Sequence, residues 1–469
     1  MSKRSTAAAE DRRPVRVFIV LAPLFGLLYA FVTPPFQTPD EPQHLNRAFQ
    51  LSELRVIGRR QGAGSEAKAG GFLPRSLKTA VELALGDIPH NELRHIDRRA
   101  LEAAWAVRLD AKDREFLEFP TAVLYSPVPY APQTLAVGIG RLFGARPLVL
   151  LYLARLANLA VWVILVGLAL KTTPFFRWAF MVLALAPISI AQAASASADA
   201  PLNGLAFLFI AGVLRAAWGP EADLSPSRLR VLAALAAAVT LCKPVYGFLP
   251  LLAFFIPAKK LRPRRRPALV LASIPLIAWG AAAAWSAATS GVLAPLQSGV
   301  DAAAQVRVIL ARPLGFFGFL VRETGSFFPD FVREFVGQLG WLDVALPAGI
   351  IVLFYFALGA TAAFDTAPPI KVRWPARAGA AAVVLASAAL IVAAIYVVWN
   401  PAGTAQIRGV QGRYFIPFGP LIALIIRNRR LPPVLNSSRT IRAALTGVLI
   451  FILCVGLAAL ASRYYAAFY

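Results

Sequence analysis

Cysteine, histidine, methionine and acidic residues are scarce in this 469-residue chain, which holds 2 Cys, 3 His, 2 Met and 24 Asp+Glu. The two cysteines, Cys242 and Cys454, both lie in apolar stretches, which argues against a disulfide framework or a Cys-rich metal site. Three histidines, His44, His90 and His95, are too few for a His-rich metal site, although one His with carboxylates still suffices for a cation. Charged residues of both signs make up only 15% of the chain. A nucleic-acid binder with 48 Lys+Arg and a net charge of +24 is ordinarily charged throughout, so no nucleic-acid partner is expected.

What the chain has is apolar sequence. Hydrophobic residues reach 58% and the mean hydropathy is +0.63. One soluble core stops growing at roughly 250–300 residues, so this much apolar sequence does not fit inside one. Disorder is excluded by the same composition. The remaining class is an all-α polytopic membrane protein in contact with lipid, its basic residues outside the bilayer.

A helix needs about twenty apolar residues to cross the hydrocarbon. The sequence offers runs at 15–35, 147–170, 178–196, 201–218, 229–243, 244–258, 267–289, 342–363, 377–399, 413–427 and 440–463. Lys243-Pro244 splits the stretch 231–257 into two helices meeting at the membrane surface. The segment 129–143 is apolar but short, with Gly138, Gly140 and Arg141, and reads as re-entrant or interfacial.

Basic clusters test that count. They are Lys3 to Arg16, Lys259 to Arg266, Lys371 to Arg377 and Arg427 to Arg442. Eleven spans put all four on one side, which the positive-inside rule makes cytoplasmic. The expected order is a cytoplasmic N-terminus (1–14), a first helix (15–35) and a large external loop domain (36–128). A transmembrane module (129–289), an external loop with interfacial pieces such as Val306–Val321 (290–341) and C-terminal helices (342–469) follow. The first helix lacks a small-residue cleavage motif before Thr33-Pro34-Pro35-Phe36 and is expected to stay uncleaved.

The scarce acids gather where this topology faces outward. Asp40 and Glu41 follow the first helix, between Pro39 and Pro42. A carboxylate held near lipid has a raised pKa and takes a proton from a hydroxyl. Equally, Asp40 is a helix N-cap with Glu41 in the first turn. Asp199 sits between two apolar runs as a site residue or a turn residue. Lys243 is a substrate cation or a snorkelling side chain. Gln411-Gly412-Arg413-Tyr414 opens a helix whose N-terminus and Arg suit a phosphate, or whose Arg anchors to headgroups. Tyr125 and Tyr130 are site aromatics or an interfacial belt, and Asp343 is a cap or a site residue. Together, acid–base and phosphate-binding groups on one face suit a lipid-linked phosphate entering from the bilayer.

Six motifs, in order along roughly 15–430, carry a resemblance. They are Thr38-Pro39-Asp40-Glu41-Pro42-Gln43-His44, Tyr125 to Gln133, Ser195 to Asn203, Lys243-Pro244-Val245-Tyr246, Leu339 to Asp343 and Gln411 to Pro417. The chain resembles bacterial membrane proteins of the domain-of-unknown-function 2142 family, which in turn look like the GT-C glycosyltransferases. That resemblance implies a multi-pass protein of the bacterial inner membrane with its site on the periplasmic face. It implies an inverting enzyme moving a sugar from a polyprenyl-phosphate donor to a cell-envelope glycan or lipid acceptor. Asp40 or Glu41 would be the base. Substrate contacts are implied for His44, Arg47, Tyr125, Tyr130, Gln133, Asp199, Lys243, Tyr246, Asp343, Gln411, Arg413 and Tyr414. In this chain Leu45-Asn46 follows His44 where aromatics are expected, and Leu241-Cys242 precedes Lys243. No cofactor is required, though a divalent cation, Mg or Mn, is compatible with the carboxylates. The alternatives are a transporter or flippase of a lipid-linked saccharide, or a polysaccharide polymerase or ligase.

Overall fold

Long apolar runs away from water satisfy their backbone groups internally only as helices or closed barrels, and this chain takes the first course. The computed structural model describes residues 12–91, 93–261, 266–297, 299–365, 372–426, 435 and 438–465. Lys3, Arg4, Arg262, Arg264, Arg265, Lys371 and Arg427 to Arg430, with most of segment 1–14, lie outside the described residues.

The helices begin with α1 (Arg13–Val32), α2 (Glu41–Ser52), α3 (Arg75–Leu85), α4 (Arg98–Ala106), α5 (Ala131–Leu142) and α6 (Pro147–Thr172). Then come α7 (Arg177–Ala184), α8 (Pro187–Ala193), α9 (Asp199–Trp218), α10 (Pro226–Cys242) and α11 (Pro267–Thr289). The last six are α12 (Ala302–Ala311), α13 (Pro313–Gly337), α14 (Ala348–Phe364), α15 (Trp374–Trp399), α16 (Gly419–Ile426) and α17 (Arg439–Tyr465).

Six of these are long and apolar enough to cross a membrane: α1, α6, α9, α11 with its short extension to Val292, α15 and α17. A seventh is available if α12 and α13, bent by 107° at Arg312-Pro313, count as one broken span. The other apolar runs fold as shorter pieces. Pro187 divides 178–196 into α7 and α8, and α10 has 17 residues. Pro244 to Phe255 and Gly412 to Phe418 wind as 3₁₀ turns. α5, at 12 residues, is about 18 Å long, well short of the roughly 30 Å of hydrocarbon. The protein is thus a multi-pass helical membrane protein. Its outward faces suit lipid: Val20, Leu276, Phe356 and Leu385 are 63%, 61%, 72% and 69% exposed.

The 36–128 segment departs from the all-α expectation. Alongside α3 and α4 it holds an antiparallel sheet of β1 (Arg59–Gln61), β2 (Lys68–Pro74) and β3 (Arg114–Glu118) in the order β1-β2-β3. Phe72 opposes Phe116, and Gly70 opposes Glu118. A Cβ on Gly70 would stand 1.9 Å from the Leu117 carbonyl oxygen, so only glycine admits this pairing distance. A short hairpin, β4 (Gln338–Leu339) with β5 (Val344–Ala345), joins α13 to α14.

The 36–128 segment and the end of α17 meet. Arg463 donates to the carbonyls of Ile88, Asn91 and Arg94, and Ile96 N–H donates to the Tyr464 carbonyl. The chain between α1 and α17 therefore brings the end of α17 back to the side on which α1 ends.

Candidate functional site

The acidic pair is divided by its surroundings. Asp40 precedes α2 with φ +61°, a left-handed conformation that is strained for a residue with a Cβ. Its side chain does not cap the helix, so the N-cap reading fails for the side chain. The carboxylate takes one long hydrogen bond, 3.4 Å from Gln43 Nε2. Glu41, one residue on, is 1% exposed and points the other way. Its Oε1 and Oε2 accept from Arg155 Nε at 2.8 Å and Nη2 at 2.6 Å, and from the backbone N–H groups of Ala196 and Phe36 at 3.0 Å each. Arg155 also donates to the carbonyls of Ala30, Thr33 and Pro34 at the end of α1. Glu41 is taken up by this lock, which leaves Asp40 as the freer carboxylate of the pair.

A second cluster forms where α9 begins and α10 ends. Pro244 stops α10, and the residue before a proline is driven to extended backbone; Lys243 has φ −151° and ψ 116°. Its Nζ hydrogen-bonds Asp199 Oδ1. Asp199 Oδ2 stands 3.8 Å from Arg413 Nη1 and accepts from Gln192 Nε2 at 3.1 Å. Asn203 Nδ2 in turn holds Gln192 Oε1 at 3.1 Å. Lys243 Nζ lies 5.5 Å from the ring centres of both Tyr125 and Tyr414, a geometry for cation–π attraction. Gln411 Oε1 accepts from Arg413 Nε at 2.5 Å, and Tyr246 Oη donates to the Tyr414 carbonyl at 2.9 Å.

These groups share a cavity of about 270 Å³. Asp40, His44, Tyr125, Asp199, Lys243, Tyr246, Gln411, Arg413 and Tyr414 line it, with Thr121 beside them. Its other wall is apolar: Ile391, Ala394, Ile395, Val398 and Trp399 of α15, with Leu296. One end is thus ionic and the other greasy. His44 is buried, and burial pushes its imidazole down to about 4 despite the opposing pull of Asp40 and Asp199. It is therefore neutral near pH 7. Tyr130 Oη lies 2.6 Å from His44 Nδ1. With the phenol O–H donating there, the ring proton sits on Nε2.

Four other residues named from sequence do not line the cavity. Arg47 donates to Gln50 Oε1 at 2.6 Å and to the Tyr125 carbonyl at 2.8 Å, fixing the Tyr125 backbone. Tyr130 orients His44. Gln133 Nε2 holds the Ser197 carbonyl at 3.1 Å, two residues before Asp199. Asp343 pairs with Arg463 at 2.8 Å, on the β4–β5 hairpin, and is a structural tie rather than a cavity residue. The expected anion site at the N-terminus opening with Gly412 is also taken: Glu334 Oε2 accepts the Gly412 N–H at 2.6 Å. Arg413 contributes through its side chain instead.

Arg155, Gln192, Asn203, Gln43, Thr121 and Glu334 were not singled out from sequence. Arg155 carried a usable signal, since a lone Arg inside a long apolar helix demands a partner. Among the described residues no group of three or more His, Cys, Asp or Glu is placed to hold a metal ion. A divalent cation also fits poorly on chemical grounds. Asp199 is shared with Lys243 and Arg413 and Glu41 with Arg155, which leaves Asp40 and His44 as donors.

The family model described as Predicted membrane protein (DUF2142) matches residues 23–422, and the chain belongs to that family. No curated protein and no solved structure matches it.

Proposed function

We propose that this member of the DUF2142 family is a GT-C-like inverting glycosyltransferase, moving a sugar from a polyprenyl-phosphate donor to a cell-envelope glycan or lipid acceptor. One observation carries the reading. A nearly unencumbered carboxylate, Asp40, shares a half-ionic, half-apolar cavity with the Lys243–Asp199–Arg413 cluster. The ionic end suits a phosphate and the apolar α15 wall suits the first units of a lipid chain.

The chemistry follows from that arrangement. The acceptor hydroxyl gives its proton to Asp40 and its oxygen bonds to the anomeric carbon. The bond between that carbon and the phosphate oxygen breaks, and its electron pair leaves with the lipid phosphate. Lys243 and Arg413 stabilise that charge, most strongly in a site that excludes water. Phosphate leaves readily, so no general acid is called for. A single displacement inverts the anomeric centre.

In this reading the protein sits in the bacterial inner membrane with its N-terminus cytoplasmic and the cavity facing the periplasm. The shorter or broken segments 177–193, 226–242, 244–255, 348–364 and 412–426 join the six long helices as crossings, giving eleven. Support comes from where the charged cavity residues sit: after α1, at the start of α9, after α10 and after α15, all at one end of the bundle. A transporter calls instead for polar groups spread across the midplane.

Mass spectrometry of cell-envelope glycans with and without the gene tests the proposal. Loss of one sugar substituent is the expected result. Identical glycans would overturn it.

A further inference from the structure

A second cavity, of about 710 Å³, adjoins the first. The two share Thr121, Tyr125, Leu296 and Val398 in their linings. Thr121 is also wired to the carboxylate. Its Oγ1 donates to Gln43 Oε1 at 2.7 Å, which turns the Gln43 amide so that Nε2 donates to Asp40 Oδ1 at 3.4 Å. Thr121 thus borders both cavities and stands two hydrogen bonds from Asp40.

The larger cavity is mostly apolar. Leu124, Leu293, Leu296, Val300 and Val398 supply its walls, and Arg60 and Asp301 are its charged residues. Asp301 is already committed, since its Oδ1 caps α12 by accepting the Ala304 N–H at 3.0 Å. Leu293 follows the end of α11, and Val398 lies in the last turn of α15. The cavity thus sits at the end of the bundle where Asp40 also lies, beside the ends of two membrane-capable helices. A free sugar is ordinarily held by several polar groups, whereas these walls favour an alkyl or prenyl chain.

We propose that this larger cavity binds a lipid-anchored acceptor, its apolar chain against Leu124, Leu293 and Val300 and its hydroxyl delivered past Thr121 to Asp40. The proposal rests on the glycosyltransferase reading of the first cavity and narrows it, making the second substrate amphipathic rather than a free glycan. In the transfer, the acceptor oxygen bonds to the anomeric carbon, its proton goes to Asp40, and the phosphate leaves with the electron pair.

The test uses the full chain in lipid nanodiscs and octyl glucoside carrying a diazirine on its alkyl chain. Light is expected to attach the probe within Leu293–Leu296 or Val300–Ala303. Unlabelled octyl glucoside is expected to compete, and glucose and polyprenyl phosphate are not. Ala294→Trp and Ala302→Trp, which fill the larger cavity without touching the smaller, are expected to cut labelling by about tenfold or more, a loss of the size one buried contact set gives. Both variants are expected to keep the parent's affinity for polyprenyl phosphate, which shows that they fold. Equal competition by glucose would overturn the proposal in favour of a soluble acceptor. Displacement by polyprenyl phosphate would make the cavity a donor-chain groove, and labelling that ignores the tryptophans would remove the site altogether. The donor reading has its own readout in the parent: polyprenyl phosphate that does not bind, or binds equally to Lys243→Ala, defeats that reading whatever the probe does.

Discussion

Arg155 grips Glu41 with two hydrogen bonds, at 2.8 and 2.6 Å, with both side chains fully or almost fully out of solvent. The same guanidinium caps the end of α1 through three carbonyls. The pair therefore fixes where the first helix stops and holds the backbone that carries Asp40 in its left-handed turn. Two adjacent carboxylates end with opposite duties, one locked and one facing the cavity.

Glu41→Gln is accordingly a stability variant. Removing one partner of a buried pair strands the other charge and costs about 3–5 kcal/mol. The melting temperature in detergent should fall sharply, as it should for Arg155→Met. A Glu41→Leu/Arg155→Leu double variant, which removes both charges, should be more stable than either of these. A Glu41→Gln protein that melts with the parent would show that the lock is not structural.

Lys243 is held by Asp199 and flanked by Tyr125 and Tyr414, so its role divides into charge and shape. Lys243→Ala should weaken binding of polyprenyl phosphate by about tenfold to a hundredfold, the worth of one charge-assisted contact. Lys243→Arg should restore part of it. Asp199→Asn should tighten binding of the bare phosphate lipid, because Lys243 and Arg413 lose their competing anion. Isothermal titration in nanodiscs reads all three, and unchanged affinity in Lys243→Ala would remove the phosphate site.

His44 makes stability depend on pH. Its folded pKa is about 4 against roughly 6.5 when unfolded. Between these values the unfolded chain binds more protons, so stability rises with pH across that window. The contribution is complete above about pH 6.5 and is lost as the pH falls toward 4, a change on the order of 3 kcal/mol. Melting curves of the parent and His44→Asn at pH 7.5 and 4.5 should diverge less at the acid end. A parent advantage that grows on acidification would contradict the assignment.

Gly412 is needed for contact rather than for backbone freedom. A Cβ there would lie 2.3 Å from the Phe331 carbonyl oxygen and 2.6 Å from the Phe335 nitrogen, both backbone atoms of α13. Gly412→Ala should cost about 1–3 kcal/mol and push Arg413 away from Asp199. A lowered melting point together with weaker phosphate binding is expected. Loss of stability alone would mean that Arg413 does not depend on this contact.

Much of the site was legible because its residues lie next to breaks in apolar sequence. Asp40, Asp199, Lys243 and Arg413 each sit where a run starts or stops, and charge there stands out against 58% hydrophobic residues. The long helices were legible for the same reason. The division of labour within Asp40–Glu41 was not, because it depends on Arg155, 114 residues away. Nor was the β1–β3 sheet, whose middle strand, Lys68–Pro74, has three successive buried residues and two glycines in place of an alternating pattern. The Thr121–Gln43–Asp40 chain depends on side-chain geometry across a loop, which spacing does not encode. The motif ending at Asp343 was read as part of the site; its order in the chain matched, but its pairing with Arg463 is a tertiary tie.

The proposed role of Asp40 as base is tested most directly by single-turnover transfer from a sugar-linked polyprenyl phosphate in Asp40→Asn. General-base catalysis is worth about 10²–10⁴-fold. A loss of that size is expected, with the melting temperature and the affinity for polyprenyl phosphate unchanged. Transfer by Asp40→Asn at close to the parent's rate would contradict it.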